Sequence, residues 1–311
     1  MARPLLHGLR ATFGDAELSV IGTPAARLLE RETLWRQWLP AAEARRPSDL
    51  ARRLGGQGFD AALILPPSFS SAWALRDCQV ERRVGFAGEL RSWLLTDAWR
   101  RPPRGETHLS EEYLQLGARI GVRATAVPPL VATADDQAAA AARLRALAID
   151  DGAFAILGPG ANYGPAKRWP HARFVAIGRR LVAAGRRVLV AGADRDRDIA
   201  LPIASEIGSG AHAIAGETSL GEQLALCAAA RVTITNDSGL AHLAAAGGAA
   251  TVVIFGSTSS AWTAPRGPRV VVVQRAPVCS PCFQRTCRIG YRCLEAIAVE
   301  AVERACRSVA A

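Results

Sequence analysis

Lysine is nearly absent from this chain. Of 38 basic residues only Lys167 is lysine, and the rest are arginine. One lysine kept against that bias points to a position that wants a compact ammonium rather than a planar fork, with chance retention as the plain alternative. No uncharged apolar run reaches the roughly 18 residues that a membrane span needs. A signal peptide is not expected either, because Pro4, His7 and Gly8 interrupt the first apolar run. The expected location is therefore cytoplasmic. Low-complexity tracts are missing. So is any basic stripe interleaved with aromatics, which sets nucleic acid aside as a partner despite a net charge of +10. That charge is spread, +4 over residues 1–130 and +6 over the remainder, and suits an anionic partner such as a nucleotide or an acidic lipid surface.

What is present is enough for two cores: 311 residues, half of them hydrophobic. Residues 231–247 carry the strongest local signal. Val232 to Thr235 is a β-branched run that reads as a strand. Asn236, Asp237 and Ser238 are turn and N-cap residues, and Leu240 onward reads as a buried helix. A helix start offers unpaired N–H groups and the positive dipole end, a seat for phosphate. His242 lies about one turn further on. An ordinary capped strand–helix turn is the bland alternative for Asp237 or Ser238 alone; with Gly239 and His242 at the same strand end, a ligand site is the better reading.

Taken in order, the first part predicts a helix over Met1–Thr12, a strand over Leu18–Ile21, a short helix over Pro24–Glu30 and an irregular stretch over 31–47. A helix capped by Ser48 covers Asp49–Leu54. Further strands are expected at Ala61–Leu65 and Arg82–Phe86, with a helix between them over Ser71–Asp77. A loop over 85–104 and a helix over His108–Ile120 follow. Ser68 stands at a strand's C-terminal end, where open α/β sheets bind ligands. Residues 123–134, with Pro128-Pro129, read as the linker. Beyond it strands and helices alternate, as in a parallel sheet with crossover helices. Strands fall at 154–157, 188–191, 212–214, 232–235, 251–255 and 270–273. The chain ends in an amphipathic helix over Leu294–Val309. The fold class is α/β, with two Rossmann-like halves.

Three further patterns bear on chemistry. The loop 158–170 follows the first strand of the second half, and its glycines, Gly160 among them, let backbone approach a ligand closely. Its G-x-G-x3-G spacing with Pro165 and Pro170 fits a dinucleotide fingerprint poorly and a phosphate site with Lys167 better. Ser219 and Glu222 form a capping box; a ribose-binding role for Glu222 is the alternative. Cys78, Cys227 and Cys306 are scattered and read as buried thiols. Cys279, Cys282, Cys287 and Cys293 form C-x2-C-x4-C-x5-C. Disulfides are not expected in a reducing compartment, which leaves a structural zinc or iron–sulfur site, or a cysteine-rich loop without metal.

Taken together, Gly158–Pro170, Ala215–Leu220, Thr235–His242 and Phe255–Ser259 resemble glycosyltransferase family 9, specifically its ADP-heptose:lipopolysaccharide heptosyltransferase II group. Ile64–Ala72 and Arg83–Arg91 match as well, so the resemblance covers nearly the whole chain. It implies a GT-B fold, two Rossmann-like domains with parallel sheets facing a central cleft. The expected division is an acceptor-side domain over 1–127, a nucleotide-sugar domain over 128–293, and a helix over 294–311 packing back toward the first domain. The implied reaction moves L-glycero-D-manno-heptose from ADP-heptose to the inner core of lipopolysaccharide on Kdo-lipid A, with inversion and with no metal or other cofactor required. Peripheral contact with the inner membrane goes with such an acceptor. Lys167 would be catalytic, neutralising charge on the departing ADP. Gly160, Asp237, Ser238, Gly239 and His242 would hold the donor, Glu222 its ribose. Ser68 and Arg91 would face the acceptor. The family's base resembles an Asp in a Gly-Asp loop just after a first strand. Met1-Ala-Arg-Pro-Leu-Leu aligns with the helix after that loop, so the strand and the loop lie off the front of this sequence. Gly14-Asp15 is no substitute, since it follows the helix. A gap in the first sheet is expected. A non-catalytic nucleotide-sugar-binding relic is the alternative function.

Overall fold

The computed structural model describes residues 1–41, 47–88 and 90–310. The chain divides into two compact units, Met1–Pro128 and Pro129–Ala311. The first opens with α1 (Arg3–Thr12), whose Pro4 sits in the first turn, where no intrahelical N–H is lost. Then come β1 (Ser19–Gly22), a 3-10 helix over Pro24–Glu32, β2 (Gln37–Pro40), α2 (Pro47–Leu54), β3 (Ala61–Ile64) and α3 (Phe69–Asp77). The unit closes with β4 (Arg82–Phe86), a 3-10 turn over Ser92–Leu94, β5 (Asp97–Trp99) and α4 (Leu109–Ala118).

The five strands among its described residues form two parallel sheets, β1-β2 and β3-β4-β5. Among the described residues no strand joins them. Two elements depart from the sequence reading. β2 lies inside the stretch expected to be irregular, of which residues 42–46 fall outside the described residues. β5 interrupts the expected 85–104 loop. Both are short, and neither shows the strict alternation that marks a strand in sequence.

The second unit contains α5 (Ala134–Ala146), β6 (Phe154–Gly158), α6 (His171–Ala183), β7 (Arg187–Val190), α7 (Arg197–Ile207) and β8 (Ala211–Ala213). It continues with α8 (Leu220–Ala229), β9 (Val232–Asn236), α9 (Gly239–Ala246), β10 (Thr251–Phe255), α10 (Ser260–Thr263), β11 (Val270–Gln274), α11 (Arg292–Glu295) and α12 (Val299–Ala310). One six-stranded parallel sheet runs in the order β11-β10-β9-β6-β7-β8. The chain winds outward from β6 in one direction through β7 to β8, then returns to its other side with β9. The switch point therefore lies between β6 and β9, where such sheets place their ligands.

β6, β9 and β10 are buried along their whole length, as strands covered on both faces must be. Successive side chains alternate between two cores. Ala155 and Leu157 of β6 join α6, α7 and α12, whereas Phe154 and Ile156 join α5 and α8. α12 is thus a member of the second unit: Val302, Ala305 and Val309 complete the core over β9, β10 and β11. The single helix expected over 294–309 is broken between α11 and α12.

Candidate functional site at the switch point of the second sheet

Two loops leave the sheet side by side at the switch point, 159–170 after β6 and 237–238 after β9. Strand-end hydroxyl and amide groups tie them together. Thr235 donates its hydroxyl to the Gly158 carbonyl at 3.1 Å and shares it with Ser238 at 3.1 Å. Asn236, fully buried, donates from Nδ2 to the Pro159 carbonyl at 2.7 Å, and its Oδ1 accepts the Trp169 backbone N–H at 3.0 Å. A carboxamide can do both at once, which an ionised Asp could not. The Trp169 indole is buried and donates to the Ile297 carbonyl at 3.0 Å, fixing the loop's far end. Gly158 has no room for a side chain, since a Cβ there would meet Thr235 Oγ1 at 2.4 Å.

Lys167 rides on this clamped loop. Its Nζ lies 2.5 Å from Asp237 Oδ2, and the two side chains are only 13% and 4% exposed. The same Oδ2 accepts the Thr258 hydroxyl at 2.7 Å, from the turn after β10. Nζ also sits 4.9 Å from the centre of the Tyr163 ring, whose other cationic neighbour is Arg285 at 5.2 Å. Tyr163 donates its hydroxyl to the Phe283 carbonyl, so the 277–291 loop braces the lysine loop. Beside the ion pair, α9 begins. Ser238 stands at its N-cap but gives no side-chain cap bond, and Gly239 is exposed, with open space where a Cβ would be. The first turn of α9 thus has no side-chain cap and follows directly on the carboxylate that holds an ammonium, an arrangement that suits an oxyanion. His242 lies within that helix, half-buried.

The remaining sequence-predicted residues are placed as follows. Gly160 packs against the buried carboxylate of Asp196; a Cβ there would come within 2.3 Å of it. Ser219 caps α8 by accepting the Glu222 N–H at 3.0 Å. The Glu222 carboxylate does not close the capping box. It takes the Arg143 Nε at 2.6 Å instead, and this hydrogen bond holds the Arg143 guanidinium above its ordinary pKa against the opposing pull of burial. Arg143 also reaches Glu217, through its side chain at 3.1 Å and its carbonyl at 2.8 Å. Ser68 is half-exposed just before α3. Arg91 is completely buried, and its Nη1 donates to the Pro66 and Ser68 carbonyls at 2.7 Å each, so it pins the Ser68 turn. Glu89, in the same motif, lies outside the described residues.

The four clustered cysteines are free thiols. Cys279 and Cys282 are exposed, Cys287 Sγ accepts the N–H groups of Ile289 and Tyr291, and Cys293 is buried in the main core. Among the described residues no group of three or more His, Cys, Asp or Glu side chains is placed to hold a metal ion. The chain between Cys282 and Cys287 braces the lysine loop through the Phe283 carbonyl. Burial pushes the Cys227 thiol up to about 11 and, with Glu303 nearby, the Cys306 thiol up to about 12.

Sequence reasoning missed Asn236, Thr258 and Arg143. Asn236 was read as a turn residue, although an Asn at the end of a buried strand, where no turn needs it, is a usable signal. Thr258 stood in a hydroxyl-rich turn that nothing local connected to Asp237.

The chain as a whole is matched by known proteins. The model of glycosyltransferase family 9 (heptosyltransferase) matches residues 48–292. The chain belongs to this family. It is 28% identical over 292 residues to lipopolysaccharide heptosyltransferase 2 of Escherichia coli, spanning 88% of this chain and 84% of that protein. The solved structure of E. coli ADP-heptose lps heptosyltransferase II superposes with a TM-score of 0.81 at 25% identity, covering 99% of this chain and 94% of that one. A family 9 glycosyltransferase from Veillonella parvula superposes with a TM-score of 0.88 at 18% identity, over 99% and 92%. The fold is GT-B, and the chain is a glycosyltransferase. No helix among the described residues is long and apolar enough to cross a membrane.

Proposed function

We propose that this chain transfers L-glycero-D-manno-heptose from ADP-heptose to a heptose of the Kdo-lipid A inner core, at the cytoplasmic face of the inner membrane. The observation that carries the reading is Lys167 held at the uncapped start of α9, at the switch point of the sheet. The donor diphosphate sits on the α9 N–H groups with Lys167 beside it. Ser238, Gly239 and His242 line the seat, and Glu222 takes the ribose hydroxyls. The acceptor oxygen attacks the anomeric carbon from the face opposite the diphosphate. The bond to the diphosphate oxygen breaks, and its electron pair leaves with ADP, so the configuration inverts. Charge grows on that oxygen as the bond breaks, which is where an ammonium and a helix dipole stabilise the transition state more than the ground state. This chemistry needs no metal, because the protein supplies the positive charge.

The acceptor proton needs a base. Asp237 is not that base, since its Oδ2 is committed to Lys167 and Thr258. The second reading, donor binding without transfer, rests on one observation: the donor seat of Lys167, Asp237 and the start of α9 lies wholly within the second unit. Incubation with ADP-heptose and an inner-core acceptor in the presence of a chelator separates the two. Chelator-resistant release of ADP, with a product inverted at the anomeric carbon, supports transfer. Stoichiometric ADP-heptose binding without ADP release supports the second reading, and no binding at all refutes both.

A further inference from the structure

Four of the ten large apolar side chains that stand exposed among the described residues fall within one short stretch. Phe69 is 38% exposed, Trp73 36%, Leu90 88% and Trp93 58%. The three aromatic rings form one cluster, with centroids 5.7 Å (Phe69–Trp73), 6.0 Å (Trp73–Trp93) and 6.4 Å (Phe69–Trp93) apart. Phe69 and Trp73 are one turn apart on α3, hence on one face. Trp93 comes from the 3-10 turn before β5. Leu90, three residues earlier, has φ of 56°, a left-handed backbone that costs a non-glycine residue free energy. A strained backbone that holds leucine in water calls for something to cover it.

The patch is built, not incidental. Arg91 joins its two halves: the buried guanidinium between Leu90 and Trp93 donates to the Pro66 and Ser68 carbonyls, immediately before α3. Arg76 stacks over Trp93 with its guanidinium carbon 4.8 Å from the ring centre. That stacking argues against a platform for sugar rings, which needs an open aromatic face. Trp73 meets Trp93 edge-on at 85°, and Leu90 has no face to offer. Indole rings, aliphatic and phenyl groups and a guanidinium on one surface match instead the boundary between lipid headgroups and acyl chains. The charge matches too, since the whole chain carries +10 and Arg76 stands at the patch.

We propose that Phe69, Trp73, Leu90 and Trp93 seat this unit on an anionic phospholipid bilayer, with Arg76 at the lipid phosphates. The inference rests on the reading of the acceptor as a membrane-held glycolipid, with Ser68, next to α3, on the acceptor side. Its test does not, because the vesicles contain no glycolipid and no transfer is measured. The chain is sedimented with vesicles of phosphatidylglycerol and phosphatidylethanolamine, and with vesicles of phosphatidylcholine alone.

The expected result is binding to the anionic vesicles with a blue shift of tryptophan emission. Leu90→Asp should lower partitioning at least tenfold. Arg76→Gln should lower it about fivefold on anionic vesicles only, the loss of about one basic contact. Val131→Asp, at an exposed apolar residue elsewhere, should change nothing. Leu90 is so exposed that its replacement leaves the thermal unfolding midpoint unchanged, and the melt verifies this. Equal partitioning of wild type and Leu90→Asp overturns the proposal. So does absence of vesicle binding, and so does an emission shift produced by free sugars rather than by vesicles. Vesicle binding by a chain that never turns over ADP-heptose sustains the docking surface and sinks the transfer reading.

Discussion

Replacement of Lys167 separates stability from catalysis. In Lys167→Met the Asp237 carboxylate, 4% exposed, keeps only the Thr258 hydroxyl of its two partners. Breaking a buried ion pair on one side costs about 3–5 kcal/mol; the lower end applies here because the lysine side chain is partly open to water. For a domain the size of the second unit about 3 kcal/mol corresponds to a fall in Tm of about 6–12 °C. In Lys167→Met/Asp237→Asn no charge is left stranded, so about 2 kcal/mol of that loss returns as coupling energy. Catalysis behaves differently. An interaction that acts on transition-state charge is worth about 10²–10³ in rate, and the second substitution does not restore it. Urea unfolding gives the stability of both variants, and single-turnover transfer from ADP-heptose gives the rate. Stability recovered in the double variant with transfer still lost is the expected pattern. Transfer that recovers together with stability would refute the catalytic role and leave Lys167 a structural residue. A single variant as stable as wild type would refute the buried pair.

Two further predictions concern other ion pairs. Glu222→Gln should weaken ADP binding about tenfold, the value of one hydrogen bond to a carboxylate. Arg143→Met, which breaks the same pair from the other side, should cost similar stability and leave ADP affinity within about twofold; equal effects on calorimetric ADP binding would remove the ribose role. In the first unit, burial raises the Glu32 carboxyl, but hydrogen bonds and charge from Arg3, and then from His7, outweigh it and leave its pKa below the ordinary value. A depressed carboxyl stabilises above its unfolded pKa and loses that contribution as pH falls through the folded value. The urea midpoint of the first unit should therefore drop in acid, and Glu32→Gln should lower it at neutral pH while removing this component of the acid slope. An unchanged acid slope in Glu32→Gln would contradict the linkage.

How far the sequence could be read depended on whether a local or a distant partner decided each case. The strands of the second sheet were legible because Phe154–Leu157, Val232–Thr235 and Thr251–Phe255 are unbroken apolar or β-branched runs, as double burial demands. β2 was not, since its four residues are all half-buried and follow no period. Glu222 shows the same division inside one motif. Its backbone N–H obeys the local S-x-x-E rule, but its carboxylate is taken by Arg143, 79 residues earlier. An ion pair with a guanidinium, charged on both sides, outcompetes the carboxylate–backbone N–H bond that a capping box offers, and no local spacing signals it. Arg91 shows another limit: a motif position tells nothing of side-chain direction, and the structure buries this arginine, where it holds the Ser68 turn.

On the proposed reading, the Lys167–Asp237 pair also constrains how the donor is held. Together the two charges cancel, so before the donor arrives the seat owes its positive potential to the start of α9, about half an elementary charge. An ADP diphosphate brings considerably more negative charge than that. Binding must therefore draw the ammonium toward phosphate and leave Asp237 more dependent on Thr258. This explains why a carboxylate sits in an anion site at all. It holds the lone lysine in place without the donor, and it sets a cost on every anion that cannot also use the α9 N–H groups. A compact, rotatable ammonium can be shared between carboxylate and phosphate in this way. A guanidinium fixed bidentately to Asp237 could not be, which gives a physical reason for the one lysine in an arginine-rich chain.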